Sequence, residues 1–304
     1  MKLKLYNLMY VDLDEKRVIA RKTYTNNERI DLYLKGSCVL DRSLKINNMG
    51  GVKLLTNNKS FIDDSLRRIG YEELEVVEIP FSLNVPKGIP FYSAHYKVDV
   101  FRYLSTLPEN EYSILLDSDV VCMREFSAEY YELIKQGVPS VYYLNAYGGV
   151  KKMKDVRLIV EDIAWMPWAG GEFIGGTASF YKNIYDEILS FKDAYWSVIN
   201  QGLFHVGDEM LTSIALARLR QKQNLCPVDA KWFGVIHRYW SAFETKSIWN
   251  YGTFFIHLPG DKMFEAHIDL SAKTVNEIFA GYGWFCKKQR LKNIIKGVIA
   301  RIFK

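Results

Sequence analysis

The sequence has few of the residues that build a disulfide framework or a structural zinc site. Its four cysteines, Cys38, Cys122, Cys226 and Cys286, lie far apart, and none has a partner at metal-ligand spacing. A reducing compartment is the simplest expectation. No run of about 18 apolar residues occurs, so no membrane-spanning helix is predicted. The opening MKLKLYNLMYVDLDEKR lacks the apolar core of a signal peptide, which predicts a cytoplasmic protein. Internal repeats and low-complexity linkers are also missing, and the 8 prolines and 20 glycines are scattered. What is present is ordinary for a globular chain: 304 residues, 49% hydrophobic and 25% charged, enough for a substantial core and too apolar for long disorder.

Acidic residues are absent from the end of the chain. Seven of the 40 basic residues lie between Lys287 and Lys304, leaving 33 against 35 acidic ones, so the net charge of +5 is local and the body is near −2. No nucleic-acid partner is expected. In the same segment Leu291, Ile294, Ile295, Val298, Ile299, Ile302 and Phe303 recur at the three-and-four spacing of one helical face. A basic amphipathic helix of this kind suits an anionic membrane surface, with Trp284 and Phe285 as interfacial anchors. The expected division is a main domain over 1–283 and a membrane-associating helix over 284–304.

Periodicity along the body predicts alternating strands and helices. Leu3–Val11 and Arg17–Thr25 both look extended, and a hairpin between them is one way to pair them. A helix is expected over Asp31–Ile46, a strand over Gly51–Asn58, a helix ending at Gly70, a strand at LEVVEIPF and a helix over Ser93–Leu104. The stretch YSILLDSDVV, Tyr112 to Val121, reads as a strand ending in two aspartates. This order implies an α/β fold with a mostly parallel central sheet and helices on both sides.

Asp117 and Asp119 carry the chemistry. If the extended conformation persists, they project to one side, and two carboxylates aimed at one point make a hard-oxygen site for Mg²⁺ or Mn²⁺. A substrate diphosphate would complete such a coordination sphere in the crevice at the carboxyl end of the sheet.

In company with other segments these aspartates give the chain the look of a GT-A (Rossmann-like) nucleotide-diphospho-sugar transferase. It most resembles glycosyltransferase family 8, the retaining group that includes glycogenin and bacterial lipopolysaccharide galactosyl- and glucosyltransferases. YLKGSCVLDRSLK (Tyr33 to Lys45) is similar to that family's first helix, AHYKVDVFRYL to the helix before the metal strand, and Asp117-Ser118-Asp119 to the metal motif. Further on, FIGGTASFY, VGDEML and FIHLPGDK follow in the family's order. The resemblance implies that Tyr33 stacks on uracil and that Lys97 and Ser118 serve the donor. It places Gly175, Gly176 and Thr177 beside the donor sugar. It also implies that His257 completes the metal site and that Lys262 binds the diphosphate.

Departures from the pattern are specific. Ile174 or Gly175 stands where an asparagine is usual, Asp208-Glu209 replaces an acid-glutamine pair, Lys262 follows His257 one residue sooner, and the Pro-Trp ending is missing. Phe-Ile-Gly-Gly and the Asp-Glu pair are also similar to family 6, which retains anomeric configuration as well.

Asp208 and Glu209 open the helix EMLTSIALARLRQ, where a carboxylate is favoured by the helix dipole. Capping accounts for one of them. The division expected of a retaining enzyme gives Asp208 the donor and Glu209 the reacting carbon. Asp117 binds the ion directly or acts through the ribose. Trp232, Tyr239, Trp240 and Trp249 are candidates for an acceptor cleft, since pyranose faces stack on aromatic rings.

The function expected is metal-dependent transfer of a hexose (galactose, glucose or an N-acetyl form) from a UDP-sugar to a glycan or lipid-linked saccharide at the inner membrane face, in bacterial surface polysaccharide synthesis. A sugar-1-phosphate nucleotidyltransferase would share the sheet but needs a glycine-rich basic loop after the first strand, and neither candidate strand has one. A non-catalytic carbohydrate-binding protein is the other alternative.

Overall fold

The computed structural model describes residues 1–13, 18–19, 22–23, 26–89, 91–144, 149–163 and 165–302. The chain divides into two compact units. The first comprises Met1–Tyr10, Glu78–Leu116 and Ser127–Phe233; the second comprises Val11–Val77, Asp117–Phe126 and everything from Gly234 onward.

The first unit is built on five strands in the order Val228–Asp229, Ser140–Tyr143, Ala169–Gly176, Glu111–Leu116 and Lys2–Met9. Four run one way, and Ala169–Gly176 alone is antiparallel to both its neighbours. This is the mostly parallel α/β arrangement the sequence pattern implies. In Glu111–Leu116 every residue after the first is buried, which is why it reads as a continuous apolar run rather than an alternating one. The helix Ala178–Val198 packs against both Lys97–Leu104 and Asp208–Gln223. Tyr181 pins it to the sheet by donating its hydroxyl to the carbonyls of Ser113 and Ile174, both at 2.9 Å.

The second unit holds the helix Asn26–Ile46, longer than the sequence suggested, and the helix Lys59–Ile69. The latter starts where Asn58 Oδ1 accepts from the Phe61 amide and stops at Gly70, whose φ of 79° is the left-handed cap expected of it. A three-stranded sheet joins Ile236–Arg238 in parallel to Phe255–His257, which runs antiparallel to Val120–Cys122.

Two expectations about strands are corrected. The strand predicted over Tyr112–Val121 is two strands, Glu111–Leu116 and Val120–Cys122, in different sheets, and Asp117-Ser118-Asp119 is the turn that redirects the chain. The shared direction of the carboxylates therefore comes from a turn and not from strand alternation. Lys2–Met9 pairs with Glu111–Leu116 and, among the described residues, with no part of Arg17–Thr25, where Val18–Ile19 pairs with Lys22–Thr23. The rest of the predicted Arg17–Thr25 strand lies outside the described residues.

The terminal helix Tyr282–Ile302 does not start as a detached tail. Tyr282 and Cys286 are buried in a cluster with Tyr239, Ile248, Ile256 and Phe279 of the same unit. Beyond that first turn the face opens: Leu291, Ile294, Ile295 and Ile299 are exposed among Lys287, Lys288 and Lys292. Among the described residues no helix is long and apolar enough to cross a membrane.

Candidate active-site clusters

In the second unit, the turn after Leu116 and the strand Phe255–His257 are tied together by the Leu258 amide, which donates to the Asp119 carbonyl at 2.8 Å. The strand register sets His257 opposite Val120, one residue from Asp119. Asp117, Asp119 and His257 thereby each offer a ligand atom, all within 4.8 Å of one another. His257 Nε2 lies 3.1 Å from Asp119 Oδ1, and the Lys262 ammonium donates to Asp119 Oδ2. Burial pushes the Asp119 carboxyl up, but the charges of Lys262 and His257 outweigh it and hold the group well below the usual carboxylate range. Lys262 shows the converse: burial lowers it, while Asp119 and then Glu265 raise it above the ordinary lysine value. Two carboxylates and an imidazole converging on one point, Asp119 and His257 buried and Asp117 half-buried, fit Mn²⁺ or Mg²⁺ by the chemistry of the donor set.

Tyr33 and Gly36, on the helix Asn26–Ile46, line this cluster. The Lys262 ammonium stands 4.9 Å from the centroid of the Tyr33 ring, a cation–π contact. A Cβ on Gly36 would come 2.6 Å from the Ser118 carbonyl oxygen, so only glycine lets the helix lie this close to the turn. Gly36→Ala should consequently push the Asp117–Asp119 turn aside. We expect a loss of about 1–3 kcal/mol in chemical denaturation and weaker Mn²⁺ binding in a calorimetric titration.

Glu265 also belongs here. It is buried, its Oε1 has no hydrogen-bond partner, and burial with the charge of Asp119 pushes its carboxyl well up against the opposing pull of Lys262 and His257. Neither Gly36 nor Glu265 was singled out as a site residue by sequence reasoning. The available signals were the small-residue cluster after Tyr33 and the three-residue spacing of Glu265 from Lys262.

In the first unit, Lys97 is buried and donates to Asp208 Oδ2 at 2.7 Å and to the Gly171 carbonyl at 2.8 Å. Glu209 accepts from Trp168 Nε1 at 2.8 Å and from the Gly171 amide at 3.3 Å, and His205 Nε2 lies 3.6 Å away. Both carboxylates are in the first turn of the helix Asp208–Gln223, behind Gly207 at φ 136°. Gly207 is fixed in turn by its amide, which donates to the Tyr195 hydroxyl at 3.0 Å, and that hydroxyl sits 2.8 Å from His95 Nε2. A side chain at Gly171 would meet Asp208 Oδ2 at 2.6 Å and Lys97 Nζ at 2.9 Å.

Of the expected donor residues, the structure brings Lys97 to Asp208 and Glu209 but does not bring Gly175, Gly176 and Thr177 there. Because their strand is reversed, Gly175 and Gly176 lie opposite Ile114 and Ser113, and Thr177 is the N-cap of the next helix. These glycines make room for Tyr112 and Phe180 instead. The close-approach glycine at the carboxylate end is Gly171. Among the aromatic candidates Tyr239 is core, with its hydroxyl donating to the Lys246 carbonyl, whereas Trp232, Trp240 and Trp249 are exposed.

No protein-family model and no curated sequence matches the chain. Solved structures do. An active-site mutant of LgtC superposes with a TM-score of 0.52 at 10% identity, over 92% of this chain and 95% of that one. The fold is the GT-A glycosyltransferase fold. Mouse xyloside xylosyltransferase 1 in its apo form gives a TM-score of 0.47 at 10% identity, covering 86% of this chain and 99% of that one. The galactosyltransferase LgtC in complex with donor and acceptor sugar analogues gives 0.48 at 7% identity, over 85% and 87%. Within this GT-A chain the metal-type cluster falls on the turn after Leu116 and the paired carboxylates on the N-terminus of Asp208–Gln223.

Proposed function

We propose that the protein is a metal-dependent, retaining glycosyltransferase that moves a hexose from a UDP-sugar to a glycan or lipid-linked saccharide, in bacterial surface polysaccharide synthesis. The observation that carries this reading is the convergence of Asp117, Asp119 and His257 on one point beside Lys262, in a chain with the GT-A fold. A nucleoside diphosphate leaves a sugar carbon only if its growing negative charge is neutralised. A divalent ion held by Asp119 and His257, with Asp117 as a direct ligand or acting through the ribose, would supply that as a Lewis acid. Lys262 adds a positive charge for the same oxygens, Ser118 lies in the turn between the two aspartates, and Tyr33 offers its ring face to the base.

Asp208 and Glu209 are assigned to the sugar. The Lys97 ammonium, donating to Asp208 Oδ2, orients that carboxylate as an acceptor for a sugar hydroxyl, and Gly171 leaves the space beside them free of any Cβ. The indole of Trp168 and the Gly171 amide hold both Glu209 oxygens in place, as a carboxylate must be held if it is to stabilise positive charge at the anomeric carbon. Hydrolysis of one UDP-hexose that requires Mn²⁺ or Mg²⁺ is the direct test. Full turnover in excess chelator, or sugar binding indifferent to nucleotide and metal, would contradict the proposal.

We assign the outer part of the terminal helix to the cytoplasmic face of an anionic membrane, supported by its exposed Leu291, Ile294, Ile295 and Ile299 among lysines. Deleting residues 291–304 retains Tyr282, Phe285 and Cys286 in their packing. The shortened protein should melt cooperatively and hydrolyse donor normally but no longer sediment with phosphatidylglycerol vesicles; undiminished sedimentation would remove the assignment.

A further inference from the structure

A buried carboxylate oxygen without a partner calls for a reason, and Glu265 has one within its own helix. The helix Lys262–Glu265 sets the two residues three apart, a spacing at which side chains on a helix meet. The Lys262 ammonium, however, is given to Asp119 Oδ2, and His257 Nε2 faces Oδ1, so both oxygens of the carboxylate that a divalent ion would use are engaged before it arrives. A cation arriving at Asp119 has to replace that ammonium, which must then find another counter-charge. The other acids and bases around it are committed. Asp261 accepts from the Ser241 hydroxyl and, at 2.6 Å, from the Tyr282 hydroxyl; Lys35 donates to the Ala266 carbonyl and so does not serve Glu265. Gly36 presents only backbone toward Glu265 Oε2, with its Cβ position 3.5 Å away.

We infer that Glu265 is a positioning residue for the metal site: it is the second seat of the Lys262 side chain, which passes from Asp119 to Glu265 Oε1 when a divalent ion takes the Asp119 oxygen. The inference rests on the proposed metal site and deepens it. Glu265 makes the exchange of one cation for another affordable by giving the displaced ammonium a carboxylate inside the protein, where an unpaired charge is costly. Lys262 keeps its place near Tyr33 during the exchange, ready for a diphosphate, and the site is never left with Asp119 uncompensated.

The test is calorimetric titration of Mn²⁺ into the full chain, without nucleotide, for the parent, Lys262→Ala, Glu265→Gln and the double variant. Lys262→Ala should bind Mn²⁺ more tightly than the parent because no ammonium competes. Glu265→Gln should bind about tenfold more weakly, the scale of one lost charge-assisted hydrogen bond. In the double variant the Glu265→Gln effect should vanish. If it persists in full, or if Glu265→Gln leaves Mn²⁺ affinity unchanged, Glu265 does not receive Lys262 and the inference falls. Absence of Mn²⁺ binding to the parent would instead remove the metal site itself. A parent crystal soaked in Mn²⁺ gives an answer that does not depend on variants folding: Lys262 Nζ within hydrogen-bond distance of Glu265 Oε1 supports the exchange, and an ammonium still on Asp119 beside a bound ion overturns it.

Discussion

Asp119→Asn should lower donor turnover on the order of a thousandfold or more, because it would remove an anionic ligand of the proposed metal site and the carboxylate that His257 and Lys262 share, while keeping side-chain volume. The loss should appear in UDP-hexose hydrolysis under saturating Mn²⁺, measured as kcat. Stability should change much less than the few kcal/mol usual for breaking a buried ion pair. The asparagine keeps a side-chain oxygen for the Lys262 ammonium, and Lys262 retains Glu265 as a neighbour three residues along its helix. The pH dependence has a definite sign. The folded Asp119 carboxyl is held below its ordinary range, so its contribution to stability is complete above the unfolded value of about 3.9 and fades as pH falls through the lower folded value. The stability gap between parent and Asp119→Asn should therefore be flat around neutrality and close only in acid. A gap that instead opens on acidification would refute this charge pattern.

Glu209→Gln should reduce kcat by roughly two to three orders of magnitude with little change in donor KM, the range typical of a lost charged group acting at the reacting centre. Both Glu209 oxygens accept, one from Trp168 Nε1 and the other from the Gly171 amide. A glutamine has one acceptor oxygen and must turn its amide hydrogens toward the second donor, which costs about 1–3 kcal/mol for the donor left unpaired. The variant is thus expected to be mildly destabilised and catalytically crippled. A variant destabilised to that extent but retaining parent kcat would confine Glu209 to holding the Trp168–Gly171 segment. Asp208→Asn separates the neighbouring role: Lys97 then loses its counter-charge, and donor KM should rise along with any fall in kcat.

Local signals carried most of the fold. Gly70, with its left-handed φ, ends a helix whose amphipathic pattern is plain, and the buried run Ile114–Leu116 is apolar because both faces of its strand are covered. The spacing of the first-turn carboxylates Asp208 and Glu209 was equally plain, since the helix they open is unambiguous. What the sequence left open was what depends on strand direction. The sequence of Ala169–Gly176 does not announce that it runs against its neighbours, so it does not show that Gly171, and not the pair Gly175 and Gly176, is the glycine beside Lys97 and Asp208. The aspartates converge as expected but through a different local geometry: the chain leaves one strand at Leu116 and enters the next at Val120, and that bend aims the carboxylates. Glu265 was illegible for another reason. Burial of a charged residue, and the lack of a partner for one of its atoms, are properties of packing that no periodicity encodes.

The account turns on one cation-dependent nucleotide site, and its most direct measurement is a crystal of the protein soaked with Mn²⁺ and UDP, with the ion located by its anomalous signal. The account predicts one ion bound by Asp119 and His257, next to or directly on Asp117, bridging to the diphosphate, with Lys262 beside the phosphate oxygens. UDP bound in the crystal with no anomalous peak within coordination distance of Asp119 would contradict it.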